Sequence, residues 1–128
     1  MNRVLIVDDD PDIVAMLSDL LEAEGYEINA AHSVRDAVKT FLVEPCDVVI
    51  TDVQMPGADG FDLLNMLRDM ASEVPVILIS GHMCQENLVR SIDLGSFAYI
   101  EKPIDVPYFS SVVEKATRAV GRRRAATA

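Results

Sequence analysis

The segment VLIVDDDPDIVAMLSDLL, residues 4–21, decides the predicted fold. It opens with the continuous apolar run Val4–Val7, which is typical of a strand buried on both faces. After three acids and a proline, apolar residues recur at helical spacing, namely Ile13, Met16, Leu17, Leu20 and Leu21. Asp10 can cap this helix, Pro11 is tolerated at its first position, and Gly25 ends it. A strand followed by an amphipathic helix predicts a βα unit.

The same alternation continues to about residue 120. Further strands are predicted at 26–30, 47–52, 74–80 and 97–100. Further helices are predicted from a Ser33 cap to a Pro45 stop, after the Met55–Gly60 loop, at 85–94 and at 107–120. The helix at 85–94 has a poor apolar stripe, so we expect it to be comparatively mobile.

Strands that alternate with helices are joined in parallel by helical crossovers. The pattern therefore predicts one α/β domain over residues 1–120, with a doubly wound parallel sheet covered by helices on both faces. Residues 121–128 are rich in Arg and Ala and have no apolar face. We interpret them as a C-terminal tail or a linker stub.

Composition narrows the classes of function. The net charge of −10 disfavours direct nucleic-acid binding, because phosphate backbones select basic surfaces. No apolar run approaches the roughly 20 residues of a membrane helix, and the N-terminus has no signal-peptide pattern. Cys46 and Cys84 stand alone, without metal-ligand spacing, as is usual for reduced thiols. We expect a cytoplasmic protein that does not contact the membrane.

Reactive side chains follow four of the five predicted strands. Asp8–Asp10 come after the first strand, Asp52 ends the third, Ser80 ends the fourth and Lys102 follows the fifth. Because the carboxyl ends of parallel strands meet at one edge of a sheet, we expect these groups to converge. Clustered carboxylates need a cation, and oxygen ligands favour Mg²⁺. A carboxylate beside Mg²⁺ can attack phosphorus, while an ammonium and a hydroxyl stabilise the transferred charge.

These residues lie in four longer motifs: LIVDDD at 5–10, TDVQMPG at 51–57, ILISGH at 77–82 and YIEKP at 99–103. In this order and spacing they resemble the receiver domain of response regulators in two-component signalling. The resemblance covers about residues 2–120. It implies a flavodoxin-like (βα)5 fold whose five-stranded parallel sheet has the order 2-1-3-4-5.

The resemblance also implies roles for individual residues. These are the phosphoacceptor Asp52, the Mg²⁺ ligands Asp8, Asp9, Asp52 and the Gln54 carbonyl, the switch and phosphoryl-binding residues Ser80, Tyr99 and Lys102, and a cis peptide between Lys102 and Pro103. Gln54 and His82, two residues beyond Asp52 and Ser80, are predicted to set the lifetime of the phosphorylated state. Asp10 is expected to cap its helix rather than bind metal.

Residues outside the motifs receive ordinary structural interpretations. Phe61, Met16, Met66 and Met70 are predicted to lie in the core, and His32 is predicted to be an exposed residue at a strand end.

The implied function is that of a signalling switch. A sensor histidine kinase or phosphotransfer protein would supply the phosphoryl group, and the domain would catalyse only its own phosphorylation and dephosphorylation. The signal would be read on the surface of the fourth helix, fifth strand and last helix. An effector domain or protein, or a second copy in a homodimer formed on activation, would bind there.

Three alternatives remain open at this point. A pseudo-receiver would keep the fold but act as an interaction module without phosphorylation. A phosphatase of the haloacid-dehalogenase class would use the DxD spacing of Asp8 and Asp10. A flavodoxin-like cofactor binder would need a phosphate loop after the first strand, where this chain has three acids.

Overall fold

A computed structural model describes residues 2–70 and 72–127, with side chains described as far as Val120. Within that part of the chain, five strands alternate with five helices. The elements are β1 Arg3–Val7, α1 Pro11–Ala23, β2 Glu27–Ala31, α2 Val34–Val43, β3 Val48–Asp52, α3 Gly60–Asp69, β4 Val76–Ser80, α4 Gln85–Asp93, β5 Ala98–Glu101 and α5 Val106–Thr127. Every predicted strand and helix is present.

The last helix differs from the sequence-based expectation. We predicted its end at Val120, but α5 continues to Thr127. The residues after Val120 therefore extend a helix and do not form an irregular segment. The division of the chain into a domain at 1–120 and a tail at 121–128 stays a prediction, and Ala128 lies outside the described residues.

The sheet has the order β2-β1-β3-β4-β5, and all four strand pairs are parallel. The predicted fold class and strand order are thus confirmed. The chain winds outward from β1 in one direction to β2 and in the other to β3. Strand order reverses between β1 and β3, and in open parallel sheets such a switch point forms a crevice at the carboxyl ends of the strands.

Each face of the sheet packs against its own group of helices. Along β1, Val4 and Ile6 belong to a core cluster with α1 and α5, whereas Leu5 and Val7 belong to a cluster with α2 and α3. This alternation follows from the two-residue period of a strand. Burial on both faces explains why these strands are continuous apolar runs.

The methionine prediction was wrong. Met16, Met66 and Met70 are 50%, 43% and 39% exposed, respectively. On α1 the buried residues are Val14, Leu17 and Leu21. Two overlapping sets of apolar residues on α1 fit the helical period. The set that packs against the sheet contains Val14, Leu17 and Leu21, and it leaves Met16 exposed. Phe61, in contrast, is buried as predicted, with 2% exposure.

Across the described residues, no helix combines the length and apolar character required to cross a membrane.

Candidate functional site

The carboxyl ends of β1 and β3 bring three acidic side chains together. The two strands are neighbours, and Val7 pairs with Thr51, so Asp8 and Asp52 leave the sheet side by side. Both are buried, whereas Asp9 is exposed. One carboxylate oxygen from each of these three aspartates lies within 4.8 Å of the other two. We call this group the acidic cluster.

Asp10 serves the helix instead of the acidic cluster. Its side chain accepts a hydrogen bond of 2.9 Å from the backbone N–H of Asp12, and Pro11 follows as the first residue of α1. The predicted helix cap is therefore confirmed. In the phosphatase alternative, Asp8 and Asp10 act as a pair, but here the carboxylate of Asp10 is engaged at the helix start.

Lys102 places an ammonium group against the acidic cluster. It follows β5, and its Nζ lies 3.3 Å from Oδ2 of Asp52 and 3.7 Å from Oδ2 of Asp8. The peptide bond between Lys102 and Pro103 is cis. The three carboxylates thus face one ammonium, and the local charge remains negative when all three are ionised.

The pKa of the Asp8 carboxyl responds both to its burial and to the charges around it. Burial raises the pKa of the Asp8 carboxyl above its ordinary value of 3.8, and the carboxylate of Asp52 adds to the effect. The backbone N–H of Asp10 and the ammonium of Lys102 act in the opposite direction. A divalent cation would relieve the repulsion. The donor set, which consists of carboxylate oxygens, fits a hard ion such as Mg²⁺.

Ser80 ends β4, the strand next to β3, and is fully buried. Its hydroxyl donates a hydrogen bond of 3.0 Å to the carbonyl of His82 and accepts one of 3.0 Å from the His82 N–H. The hydroxyl is therefore engaged with its own loop. The side chain of His82 is exposed. Gln54 is also exposed, and its backbone N–H donates to Oδ1 of Asp52 at 3.2 Å.

Tyr99 lies away from the acidic cluster, on β5. Its ring stacks on that of Phe61, with centroids 6.4 Å apart and an interplanar angle of 18°. The hydroxyl of Tyr99 is buried and has no hydrogen-bond partner among the described residues. The side chain of Tyr99 is therefore held by contacts of its ring, and its hydroxyl contributes no hydrogen bond to the described residues in this position.

The contacts of three side chains were missed in the sequence, two of them near the site and one at the opposite edge of the sheet. His32 was interpreted as a plain exposed residue, but its Nδ1 lies 3.1 Å from the backbone carbonyl of Asp8. The guanidinium of Arg90 lies 4.5 Å from the ring centroid of Phe61. Arg68 donates to three backbone carbonyls at the ends of α3 and α4. No local motif marks these residues, because the contacts of His32 with Asp8, Arg90 with Phe61 and Arg68 with Gly95 join segments that are distant in sequence.

Comparison with known proteins gives a consistent result. The family model described as "Response regulator receiver domain" matches residues 4–114. The regulatory protein AtoC of Escherichia coli K12 is 34% identical over 91% of this chain and 25% of its own length. The nitrogen assimilation regulatory protein NtrX of Azorhizobium caulinodans is 33% identical over 94% of this chain and 27% of its own length. The chain thus spans about a quarter of the length of these relatives.

A solved structure supports the same conclusion for the fold. The CheY-like response regulator receiver domain protein from Methanospirillum hungatei JF-1 superimposes with a TM-score of 0.90 and 27% sequence identity. The match covers 96% of this chain and 98% of that protein. The whole domain, and not a fragment of it, is therefore similar.

Proposed function

The chain belongs to the response regulator receiver domains of two-component phosphorelay signalling, and we propose that its switch is the transfer of a phosphoryl group to Asp52. The observation that carries this proposal is the convergence of the acidic cluster with one ammonium group. Three carboxylate oxygens lie within 4.8 Å, and Nζ of Lys102 lies 3.3 Å from Asp52. Asp52 ends β3, beside the switch point of the sheet between β1 and β3.

The proposed transfer starts from a phosphohistidine of a sensor kinase or phosphotransfer protein. A carboxylate oxygen of Asp52 attacks phosphorus and forms an O–P bond. The P–N bond to the donor imidazole breaks, and the imidazole leaves with the electron pair. The ammonium of Lys102, already in contact with the acceptor carboxylate, donates a charge-assisted hydrogen bond to a phosphoryl oxygen. The product is an acyl phosphate on Asp52.

Mg²⁺ fits this chemistry. Asp8, Asp9, Asp52 and the backbone carbonyl of Gln54 would hold the ion, which supplies divalent charge opposite the oxygens of the phosphoryl group. Asp8 contributes a carboxyl whose pKa is raised by burial, so a bound cation would also favour its ionised form. The domain therefore supplies the ligands and the ammonium, and it catalyses only its own modification.

The response would begin at Ser80. To bind a phosphoryl oxygen, its hydroxyl has to leave the carbonyl of His82, to which it now donates. Tyr99 would then change its position, and with it the surface formed by α4, β5 and α5. Exposed apolar side chains on this surface, such as Val89 and Ile92, suit an effector domain, an effector protein or a second copy in a homodimer.

Gln54 and His82 are the residues that we propose to set the phosphorylated lifetime. Their side chains are exposed beside Asp52 and Ser80, where they can meet a water that attacks the acyl phosphate. Exchange of both residues for alanine should change the dephosphorylation rate constant, followed as loss of the added mass with time. An unchanged rate constant would remove both residues from this role.

The proposed acceptor is tested by intact-mass measurement after incubation with acetyl phosphate and Mg²⁺. We expect a base-labile gain of one phosphoryl group in the wild type, and no gain in Asp52→Asn or in the presence of EDTA. Asp10→Asn is the matched control, because it removes the same charge nearby while asparagine remains a good helix cap. It should be phosphorylated like the wild type.

Two outcomes would contradict the proposal. Phosphorylation of Asp52→Asn would show that another residue is the acceptor. A folded wild type that is modified neither by acetyl phosphate nor by a cognate kinase would instead be a pseudo-receiver.

A further inference from the structure

Three side chains from three elements meet at the ring of Phe61. Phe61 lies in the first turn of α3, Tyr99 on β5 and Arg90 in the last turn of α4. The Phe61 and Tyr99 rings are stacked, and the Arg90 guanidinium lies 4.5 Å from the Phe61 centroid. We call this group the aromatic clip. It joins α4, which otherwise contributes little to the core, to the ring of the proposed switch residue.

Phe61 is a fixed support for the other two members. It is buried, and α3 begins directly before it with a capping box formed by Asp59 and Asp62. Arg90, in contrast, is exposed on a helix whose one buried residue is Ser91. A displacement within the clip should therefore move α4 and leave α3 in place.

The two ends of α4 are held unequally. At the C-terminal end, Arg68 donates a hydrogen bond of 3.0 Å to the carbonyl of Gly95, two residues beyond the helix. At the N-terminal end, the cap residue Cys84 makes no side-chain hydrogen bond to the helix. That free end follows the loop that contains Ser80 and His82. Arg90 lies in the last turn of the helix, near the anchored end, and its contact with Phe61 is a second hold on α4 from α3.

The clip faces the same side of the sheet as Ser80. Leu78 pairs with Tyr99 across β4 and β5, and Ser80 lies two residues after Leu78, on the same face. In the arrangement that the clip accompanies, the hydroxyl of Ser80 donates to the carbonyl of His82 and not to a group on Asp52. This arrangement therefore competes with the one in which Ser80 binds a phosphoryl oxygen.

We propose that Arg90 is a positioning residue that clips α4 to Phe61 and thereby keeps Tyr99 in the arrangement that opposes phosphoryl binding. The inference rests on the function proposed above. A guanidinium over an aromatic face contributes about 0.5–1 kcal/mol at an exposed site, which corresponds to roughly a two- to fivefold shift in an equilibrium. Loss of the clip should shift the balance by this factor toward the state that binds the phosphoryl group.

The test compares Arg90→Gln with the wild type, using Arg35→Gln on α2 as the control that removes the same charge from another exposed arginine. The chain has three tyrosines, so incorporated 3-fluorotyrosine gives a simple fluorine NMR spectrum in which Tyr99 is assigned with Tyr99→Phe. Beryllofluoride with Mg²⁺ serves as the phosphoryl mimic, and its half-saturating concentration is the second measurement.

In Arg90→Gln without ligand, we expect the Tyr99 signal to shift or split while those of Tyr26 and Tyr108 stay in place. The half-saturating concentration of beryllofluoride should fall roughly two- to fivefold, and Arg35→Gln should match the wild type in both measurements. An unchanged Tyr99 signal would overturn the proposal. So would a changed signal with unchanged beryllofluoride affinity, since the clip would then not act on the switch.

The same experiment separates this inference from the proposed function. If the wild type fails to bind beryllofluoride with Mg²⁺, the phosphorylation proposal fails. The Tyr99 signal in the absence of ligand would still report whether Arg90 positions that ring.

Discussion

The helices α3 and α4 are similar in length and meet through Phe61 and Arg90, yet they are held in opposite ways. Five of the ten residues of α3 are buried, and a capping box closes its N-terminus. In α4, Ser91 is the buried residue, and the N-terminus lacks a side-chain cap. Both follow strands whose ends carry proposed functional residues, Asp52 for α3 and Ser80 for α4.

The difference suits the two helices to different roles in the proposed switch. The proposed phosphoacceptor Asp52 would have to stay in register with the proposed metal ligands, and the helix that follows it is firmly packed in the core. The proposed readout surface would have to move at small energetic cost, and the helix that follows Ser80 has little buried surface. Among the helices, α4 has the fewest buried residues in the described part of the chain, and it lies at the proposed readout surface.

The largest expected effect is that of Gly60→Ala at the start of α3. A Cβ on Gly60 would lie 2.5 Å from the carbonyl oxygen of Asp52 and 2.9 Å from Cα of Val53. Both are backbone atoms that cannot rotate away, so α3 would have to shift. We expect a loss of about 3 kcal/mol in the free energy of unfolding, measured by denaturant titration. Gly81→Ala is the control, since its Cβ would meet only Cδ of Lys102 at 4.0 Å. Equal stability of the two variants would refute the close approach at Gly60.

A second test removes the link between the two helices. The guanidinium of Arg68 donates to the carbonyls of Ser72 and Val74 and to that of Gly95. Arg68→Ala should lower the free energy of unfolding by about 2 kcal/mol, because hydrogen bonds from a charged donor are lost. Arg118→Ala breaks only an exposed pair with Glu114 on one helix and should cost less than about 0.5 kcal/mol. A loss in Arg68→Ala no larger than in Arg118→Ala would show that α4 is not anchored there.

The third test weakens the start of α3. The Asp59 carboxylate accepts a hydrogen bond of 2.9 Å from the backbone N–H of Asp62. The Asp62 carboxylate accepts one of 2.8 Å from the backbone N–H of Asp59. Asp59→Ala should cost about 1 kcal/mol of unfolding free energy. Asp69→Ala, at the other end of the helix, removes an acid that the helix dipole disfavours, so stability should hold or rise slightly. If both substitutions cost the same, the effect belongs to charge and not to the cap.

The sheet, the starts of α1 and α2 and the acidic cluster were easier to predict from sequence than the contacts that hold α3 and α4. Continuous apolar strands, the caps at Asp10 and Ser33 and the acids after β1 and β3 are local signals, and each maps directly onto an element or onto the acidic cluster. The weakness of α4 was also predicted, because a poor apolar stripe is visible in the sequence. A second feature, the lack of a side-chain cap hydrogen bond at Cys84, needed the backbone geometry of the helix start.

Contacts between distant elements were beyond the sequence. Phe61 was predicted as ordinary core, but its ring also supports Tyr99 and Arg90. The position of Met16 depends on which of two apolar stripes the sheet selects, and a single helix does not encode that choice. Packing between elements decides both, and one sequence without a structure carries no direct record of it.

The smallest expected effect is a gain in the local stability of α4 from a better helix cap at residue 84. Cys84 has the extended backbone of a helix cap, with φ −130° and ψ 162°, but it lacks a good acceptor. Cys84→Ser supplies one, and we expect a local gain of about 0.5 kcal/mol, seen as roughly twofold slower amide hydrogen exchange in α4. Global unfolding should hardly change, because α4 buries only Ser91 among its nine residues and so contributes little to the core.

Cys46→Ser makes the same chemical exchange in a different environment and should have the opposite sign. Burial raises the pKa of the Cys46 thiol to about 12 because it disfavours the charged thiolate, and Cys46 packs against the core cluster that contains Leu5. A hydroxyl there should lower global stability by about 1 kcal/mol. We expect Cys84→Ser to slow amide exchange in α4 without raising the global free energy of unfolding, and Cys46→Ser to lower that free energy. This pair of results would show that the missing cap limits the stability of α4. If exchange in α4 stayed the same, the missing cap would not limit the stability of the helix, and its sparse burial would determine the exchange rate instead.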